Sequence, residues 1–397
     1  MLAWVRGTVL IRAALALFAV LALTAGPAQA ARRVPEGFFG VNTSGNIEVQ
    51  PARVQKAHWD KLASAGAESV RVLFNWDLAQ KTAGAPYKWT RNDAIVTYAV
   101  THGMKILPVV EYAPVWARKY HEAVSSPPKG TSGYTAFLRA AIKRYGPDGA
   151  FWKQHKNLPE RPIREWQIWN EPEIAFHWYR KPFTRKWGQQ DARDYVTLLK
   201  AAYKTVHSTD PGAKVVLAAL SIDSWRSLDK IYRWAGLGKN FDVATLQGYA
   251  GSPDFIPTLV KRFRDVLNAH GASGVPIYLT EITWPAAKGK ANPGYTTGYM
   301  SGFITTQSGA AQRLAKAYKT LSASSFRNKY KLERAFWYIG ATSYKGRNEF
   351  EYSGLLRYTS SGVFAVPAYG AYQKAARAAE GCAKSTSGGC KKSSRAR

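Results

Sequence analysis

Two short runs in this chain, Trp166-Gln167-Ile168-Trp169-Asn170-Glu171-Pro172 and Ile277-Tyr278-Leu279-Thr280-Glu281-Ile282-Thr283-Trp284, each carry an apolar stretch into a glutamate. A carboxyl group at the end of an apolar strand is costly to bury, so it must reach solvent or meet a partner. Two carboxyl groups brought to one small space have a defined chemistry. One, protonated, gives its proton to the leaving oxygen of a glycosidic bond, while the other, ionised, attacks the anomeric carbon; the two lie about 5–5.5 Å apart. Glu171 and Glu281 are the candidates for that pair.

Two further residues fit around them. Arg71 interrupts Ser69-Val70-Arg71-Val72-Leu73-Phe74-Asn75, a mostly apolar run. A guanidinium inside a strand demands a carboxylate partner and would hold that partner ionised, as a nucleophile requires. The alternative is an outward-facing arginine snorkelling between helices. Tyr249 ends another short apolar run and can donate its hydroxyl to the same carboxylate. Glu111, in Val110-Glu111-Tyr112, reads either as a third carboxylate in the site or, as the favoured reading, as a solvated loop residue. Aromatic residues cluster just beyond strand ends: Trp76, Tyr112, Trp116, Trp178, Tyr179, Trp284 and Trp337. Flat rings suit the apolar faces of sugars, and packing under the loops is the competing use. Trp337 and Trp178 are the expected sugar contacts.

The elements that must position these residues follow from the alternation of short β-rich runs with longer amphipathic stretches, the pattern of βα units and a parallel sheet. Strands are expected at 38–42, 69–75, 105–111, 165–170, 215–219, 243–247, 277–280 and 335–338. Helices are expected at 54–65, 92–102, 134–145, 192–207, 228–235, 256–269, 310–321 and 367–379. Eight such pairs predict an α/β fold, a (β/α)8 TIM barrel forming a single catalytic domain over 31–380. The longest connections, around 122–132, 176–190 and 284–309, all follow strand ends, where such barrels build their sites.

Together these residues resemble glycoside hydrolase clan A, and the resemblance covers nearly the whole chain after residue 30. Within it, Trp169-Asn170-Glu171-Pro172 followed by Phe176-His177-Trp178, with Tyr112-Ala113-Pro114-Val115-Trp116-Ala117, is most similar to glycoside hydrolase family 39 and bacterial cellulase-like, family 5-like glycosidases. The resemblance implies a retaining glycosidase that needs no cofactor and no metal. It implies Glu171 as acid/base, Glu281 as nucleophile, Asn170 on the sugar 2-hydroxyl, Arg71 and Tyr249 holding the nucleophile, and Trp337 as an aromatic floor. After the sixth strand the family carries His-Pro-Tyr or a close variant, whereas this chain reads Gln247-Gly248-Tyr249, a neutral amide replacing an imidazole at a substrate-binding position.

Composition bounds the rest. The 397 residues carry 56 Lys+Arg against 26 Asp+Glu, a net charge of +30. A field of that size favours polyanionic surroundings. It reads as a surface trait spread over the molecule, or as a sign of an anionic glycan or cell-wall polymer as substrate or tether. No nucleic-acid-binding motif accompanies the charge, so no nucleic acid is expected. The seven histidines form no HxH or HExxH pair, which argues against a metal hydrolase. At the N-terminus, Arg6 and Arg12 precede an apolar run from Ala13 to Ala25 and the small-residue stretch Gly26-Pro27-Ala28-Gln29-Ala30. This predicts a signal peptide over 1–30, cleaved after Ala30, and a secreted protein, retained at the wall if its charge tethers it. No transmembrane segment is expected, since the apolar run falls short of the ~20 residues a spanning helix needs. The only cysteines, Cys382 and Cys390, lie in a basic tail, 381–397, where an oxidising compartment would let them form a disulfide. The expected partner is a carbohydrate and the expected state a monomer. The alternative function is a catalytically silent basic barrel that binds an anionic polymer.

Overall fold

The computed structural model describes residues 31–43, 47–291 and 298–381. The expected leader and the pair Cys382 and Cys390 lie outside the described residues. Eight parallel strands form one sheet: β1 (Phe39–Asn42), β2 (Ser69–Asn75), β3 (Lys105–Glu111), β4 (Glu165–Ile168), β5 (Lys214–Val216), β6 (Ala244–Gln247), β7 (Ile277–Ile282) and β8 (Leu332–Trp337). Their order is β5-β4-β3-β2-β1-β8-β7-β6. Parallel bridges Val216↔Val243 and Leu220↔Leu246 join the two edges, so the sheet closes into a (β/α)8 barrel with no free edge.

The expected strands match closely in position. β4 ends earlier than its apolar run because the chain turns out of the sheet at Trp169, β5 also ends early, and β7 and β8 are longer than their apolar cores suggest. Between β8 and the final helix, Pro367–Glu380, lies a feature not anticipated: a small sheet of β9 (Ala341–Thr342), β10 (Leu356–Thr359) and β11 (Gly362–Ala365). Among the described residues no helix is long and apolar enough to cross a membrane.

The alternation of β2 sorts its side chains. Val70, Val72 and Phe74 join the large core between barrel and helices, while Arg71 points into the barrel. The barrel interior is layered. At the N-terminal end Arg334 of β8 donates from Nη2 to Glu165 Oε1 of β4 at 2.8 Å, and the Tyr278 hydroxyl donates to the same oxygen at 2.9 Å. A separate apolar cluster of Leu107, Val216, Val243, Tyr278 and Phe336 fills the middle. Gly40 of β1 makes room for it, since a Cβ there would sit 2.3 Å from the Phe336 ring. Above this floor the interior turns polar, with Asn42, Arg71 and Gln167 on three strands, and the two glutamates stand at the C-terminal mouth.

Candidate active site

Arg71 organises the mouth. Its Nη1 donates to Glu281 Oε1 at 2.7 Å and to Asn42 Oδ1 at 2.9 Å. Its Nε donates to Gln167 Oε1 at 2.8 Å and its Nη2 to Asn170 Oδ1 at 2.7 Å. A buried cation is tolerable only when it is paired and its donors are met, and these contacts do both. They rule out the outward-facing alternative. The Tyr249 hydroxyl donates to Glu281 Oε2, so both oxygens of that carboxylate are held. Tyr249 keeps its proton, because burial and the Glu281 charge raise its pKa well above the ordinary value.

Glu171 has different company. Trp169 and Glu171 adopt left-handed backbone, φ 70° and 42°, on either side of Asn170. Non-glycine residues avoid this region, and its use at a strand end breaks the usual in–out alternation. Asn170 can thereby reach Arg71 while the next residue, Glu171, also faces the mouth. Glu171 Oε2 lies 2.8 Å from Nε2 of His177, and Asn170 Nδ2 donates to the same oxygen at 3.4 Å. Nδ1 of His177 faces Glu111 Oε1 at 3.5 Å. Arg71 and Asn170 thus link Glu281 to Glu171 through three hydrogen bonds.

The electrostatics follow from these neighbours. Burial disfavours charge on His177, but the carboxylates on both of its sides hold it as an imidazolium well above the ordinary imidazole range. Burial would raise Glu171, and the hydrogen bond and charge of His177 outweigh it and bring its pKa below the usual value. Burial raises Glu281, helped by the like charge of Glu171 and opposed by Arg71 and Tyr249. Glu111, buried, is raised by desolvation against the pull of His177 and Arg71. It is the third carboxylate of the site; the solvated-loop reading fails because its strand runs to Glu111 itself and turns it inward toward His177. Glu173, whose Oε1 accepts the Ser221 N–H at 2.6 Å, is pushed up to about 8 by burial and by Glu171.

The two expected sugar-contact tryptophans are packed elsewhere. Trp178 is 1% exposed, edge-on to Trp169 and Tyr195. Trp337 is also 1% exposed; its indole N–H donates to the Ser353 carbonyl at 2.9 Å and its ring tilts against Trp284. Side chains alternate along a strand, so the next residue, Tyr338, faces the mouth instead. It is half-buried, and the charges of Glu281 and Glu171 help raise its pKa after burial. Gln247 ends β6 in register with Glu281, and its buried amide has no hydrogen-bond partner. Among the described residues its side chain makes no hydrogen bond to the charged groups. Asn42, Gln167, His177, Glu173 and Tyr338 were not anticipated. The first two carried a readable signal, a polar residue within an apolar strand.

No family model matches the chain, and no curated protein matches its sequence. Solved structures do. A family 39 glycoside hydrolase from Bacteroides cellulosilyticus superposes with TM-score 0.61 at 19% identity, over 88% of this chain and 64% of that one. A monomeric beta-xylosidase from Caulobacter crescentus gives 0.60 at 16%, over 87% and 69%. The GH53 catalytic domain of Ignisphaera aggregans gives 0.55 at 18%, over 87% and 98%. The chain spans less than two thirds of the first of these. At such identities the likeness establishes the fold alone, a (β/α)8 barrel.

Proposed function

We propose that the protein is a secreted, retaining glycoside hydrolase acting on the O-glycosidic bonds of an oligosaccharide or polysaccharide, within a single domain over 31–380. The observation that carries this reading is the unequal company of the two carboxylates. Glu281 is clamped through both oxygens by Arg71 and Tyr249, which suits an anion that must attack along one line. Glu171 is held by an imidazole that can carry a proton, which suits a group that must give one up and take it back.

The steps balance. Glu281 attacks the anomeric carbon as its bond to the leaving oxygen breaks, and Glu171 passes a proton to that oxygen. Glu171, now a base, takes a proton from water; the water oxygen displaces Glu281 and regenerates it. His177 pulls the Glu171 pKa down, so the transferable proton belongs to the pair and moves across the 2.8 Å contact as the leaving oxygen develops charge. Asn170, oriented by Arg71, is the donor for the sugar 2-hydroxyl.

Two variants test the reading. Glu281→Gln abolishes hydrolysis of every glycan while the melting transition is retained. Glu171→Ala loses most on substrates with poor leaving groups and least on activated aryl glycosides, which need little protonation. Unimpaired hydrolysis by Glu281→Gln overturns the assignment. Salt-sensitive retention on acidic polymers by a wild-type protein that releases no reducing ends would favour a binding barrel instead.

A further inference from the structure

Beside the catalytic mouth lies a cavity of about 170 Å³ lined by Tyr338, Thr342, Asn348, Phe350, Glu351 and Tyr358, with Ile339 and Ala341 behind them. A water takes a share of about 30 Å³ of liquid, so the space holds on the order of five waters, comparable to one sugar ring. It is built by the small β9–β11 sheet and the segment that joins it, not by the barrel itself.

Its inner wall is continuous with the nucleophile's support. Phe350 packs against Tyr249 at 5.5 Å between ring centres and against Tyr338 at 5.6 Å, and Tyr249 is the residue that donates to Glu281. The acid/base side of the mouth, with His177 and the exposed Phe176, belongs to different loops. The cavity therefore extends from the Glu281 side, which receives the sugar that becomes covalently attached.

Thr342 Oγ1 is already committed, donating to the Glu351 carbonyl at 2.7 Å, and the other polar groups of the cavity are available. The hydroxyls of Tyr338 and Tyr358 have no hydrogen-bond partner among the described residues. Asn348 uses only its Oδ1, to accept the Phe350 N–H at 2.9 Å. Glu351 accepts the Ser343 hydroxyl at 3.3 Å through Oε2. Among the described residues no Lys, Arg or His lies within ion-pair distance of Glu351, although the chain carries 56 Lys+Arg against 26 Asp+Glu and most of its acids are paired. Lys345 and Arg347 are exposed nearby but are not among the lining residues.

We infer that this cavity is a glycone-side subsite for an uncharged glycosyl unit, whose hydroxyls donate to Glu351 and whose ring lies against Tyr338 and Tyr358. An ionised carboxylate only accepts hydrogen bonds, so it pairs with sugar hydroxyls and repels a uronate. Two aromatic rings give the apolar face of a pyranose its partner. The net charge of the molecule points toward polyanions, and the local chemistry of this cavity points away from them.

The inference rests on the glycosidase reading, and the experiment separates the two. Wild type, Glu351→Gln and Asn348→Ala are assayed on neutral xylo-, manno- and gluco-oligosaccharides, on oligogalacturonides and on aryl monoglycosides, with binding measured on Glu281→Gln. Expected are neutral oligosaccharides cleaved at least about tenfold faster than oligogalacturonides. Glu351→Gln should lower kcat/KM on the neutral oligosaccharide about tenfold more than on the aryl monoglycoside, the worth of one hydrogen bond to a charged group. Asn348→Ala, at an exposed position, should act in the same direction and guards against misfolding of the first variant. Oligogalacturonides cleaved as fast as neutral chains, or equal losses on long and short substrates in both variants, overturn the subsite. No cleavage of any glycan, with neutral oligosaccharides still bound in a Glu351-dependent way, overturns the glycosidase reading and leaves the subsite standing.

Discussion

His177 places Nε2 2.8 Å from Glu171 Oε2 and turns Nδ1 toward Glu111, so this imidazole sits between two carboxylates. A pair this close titrates as a unit. The charged groups facing it are Glu171, Glu111 and, further off, Arg71, Glu173 and Glu281. The competent state carries one proton on the pair, and that proton is lost only at the elevated value of His177. The alkaline limb of kcat/KM should therefore lie above the ordinary imidazole value of about 6.5. In His177→Gln the proton must reside on Glu171 itself, and the limb should move to lower pH by about a unit or more. An alkaline limb that stays in place in an active His177→Gln protein would remove the role.

The opposite limb reports on Glu281. Its raised pKa is held in check by Arg71 and by the Tyr249 hydroxyl. Tyr249→Phe deletes one hydrogen bond to the ionised form and leaves the ring packing on Phe303 and Phe350 intact. The acid limb should rise, and kcat/KM at its optimum should fall about tenfold to a hundredfold, the range for a hydrogen bond to a charged group. A pH profile superimposable on wild type would contradict the clamp.

How much of this was legible beforehand depended on what each residue leaves in the pattern. The strands of the barrel were plain because each is an apolar run with helical periodicity after it. Arg71 and Glu281 were plain because a charge inside such a run has few tolerable explanations. Asn42 and Gln167 left the same kind of mark in a weaker form, since an amide in a strand is less costly than a guanidinium. His177 stood in the Phe176-His177-Trp178 motif but showed no role there, because it sits in a loop whose path depends on the left-handed turn at Glu171. The β9–β11 sheet escaped because no α-helix directly follows β9 or β10, so the alternation of strand and helix passes over them. Tyr338 was missed by one position, and in a strand one position is the difference between the mouth and the helix layer.

That one-residue difference separates stability from binding. Trp178→Ala removes a ring that is 1% exposed and should cost about 3–5 kcal/mol of stability, with KM little changed in the folded fraction. Tyr338→Ala should do the reverse, raising KM severalfold with a smaller loss on urea denaturation. A wild-type melting curve for Trp178→Ala together with a raised KM would reinstate that tryptophan at the sugar.

Glu173 makes stability depend on pH. Its folded pKa is raised, to about 8, from an ordinary value of about 4.3. A raised group contributes its full stability below the unfolded value and loses it as pH rises through the folded one. Between about 4.3 and 8 this one group should therefore lower stability by up to about 1.4 kcal/mol per pH unit. Glu173→Gln keeps the acceptor for the Ser221 N–H and cannot ionise, so denaturation midpoints should fall less steeply across that window. Equal slopes for the two proteins would mean that Glu173 ionises freely.

The ion pair at the other end of the barrel is expected to govern stability without governing chemistry. Arg334 and Glu165 meet across the interior below the apolar layer, and Tyr278 shares the carboxylate. Removing one partner strands the other charge in a region that water reaches poorly, a loss of about 3–5 kcal/mol for a buried pair. Arg334→Met leaves Glu165 with only the Tyr278 hydroxyl, while Glu165→Gln leaves the guanidinium without a countercharge, so each single variant should be strongly destabilised. The double variant abolishes both charges and should lose less than the sum of the two, because the charge stranded by each single change is then gone. Since Phe336, Leu107 and Val216 separate this pair from Arg71, kcat/KM of the folded fraction at low temperature should match wild type in all three. Urea denaturation of the four proteins measures the coupling, and additive losses would show that the two charges do not support each other.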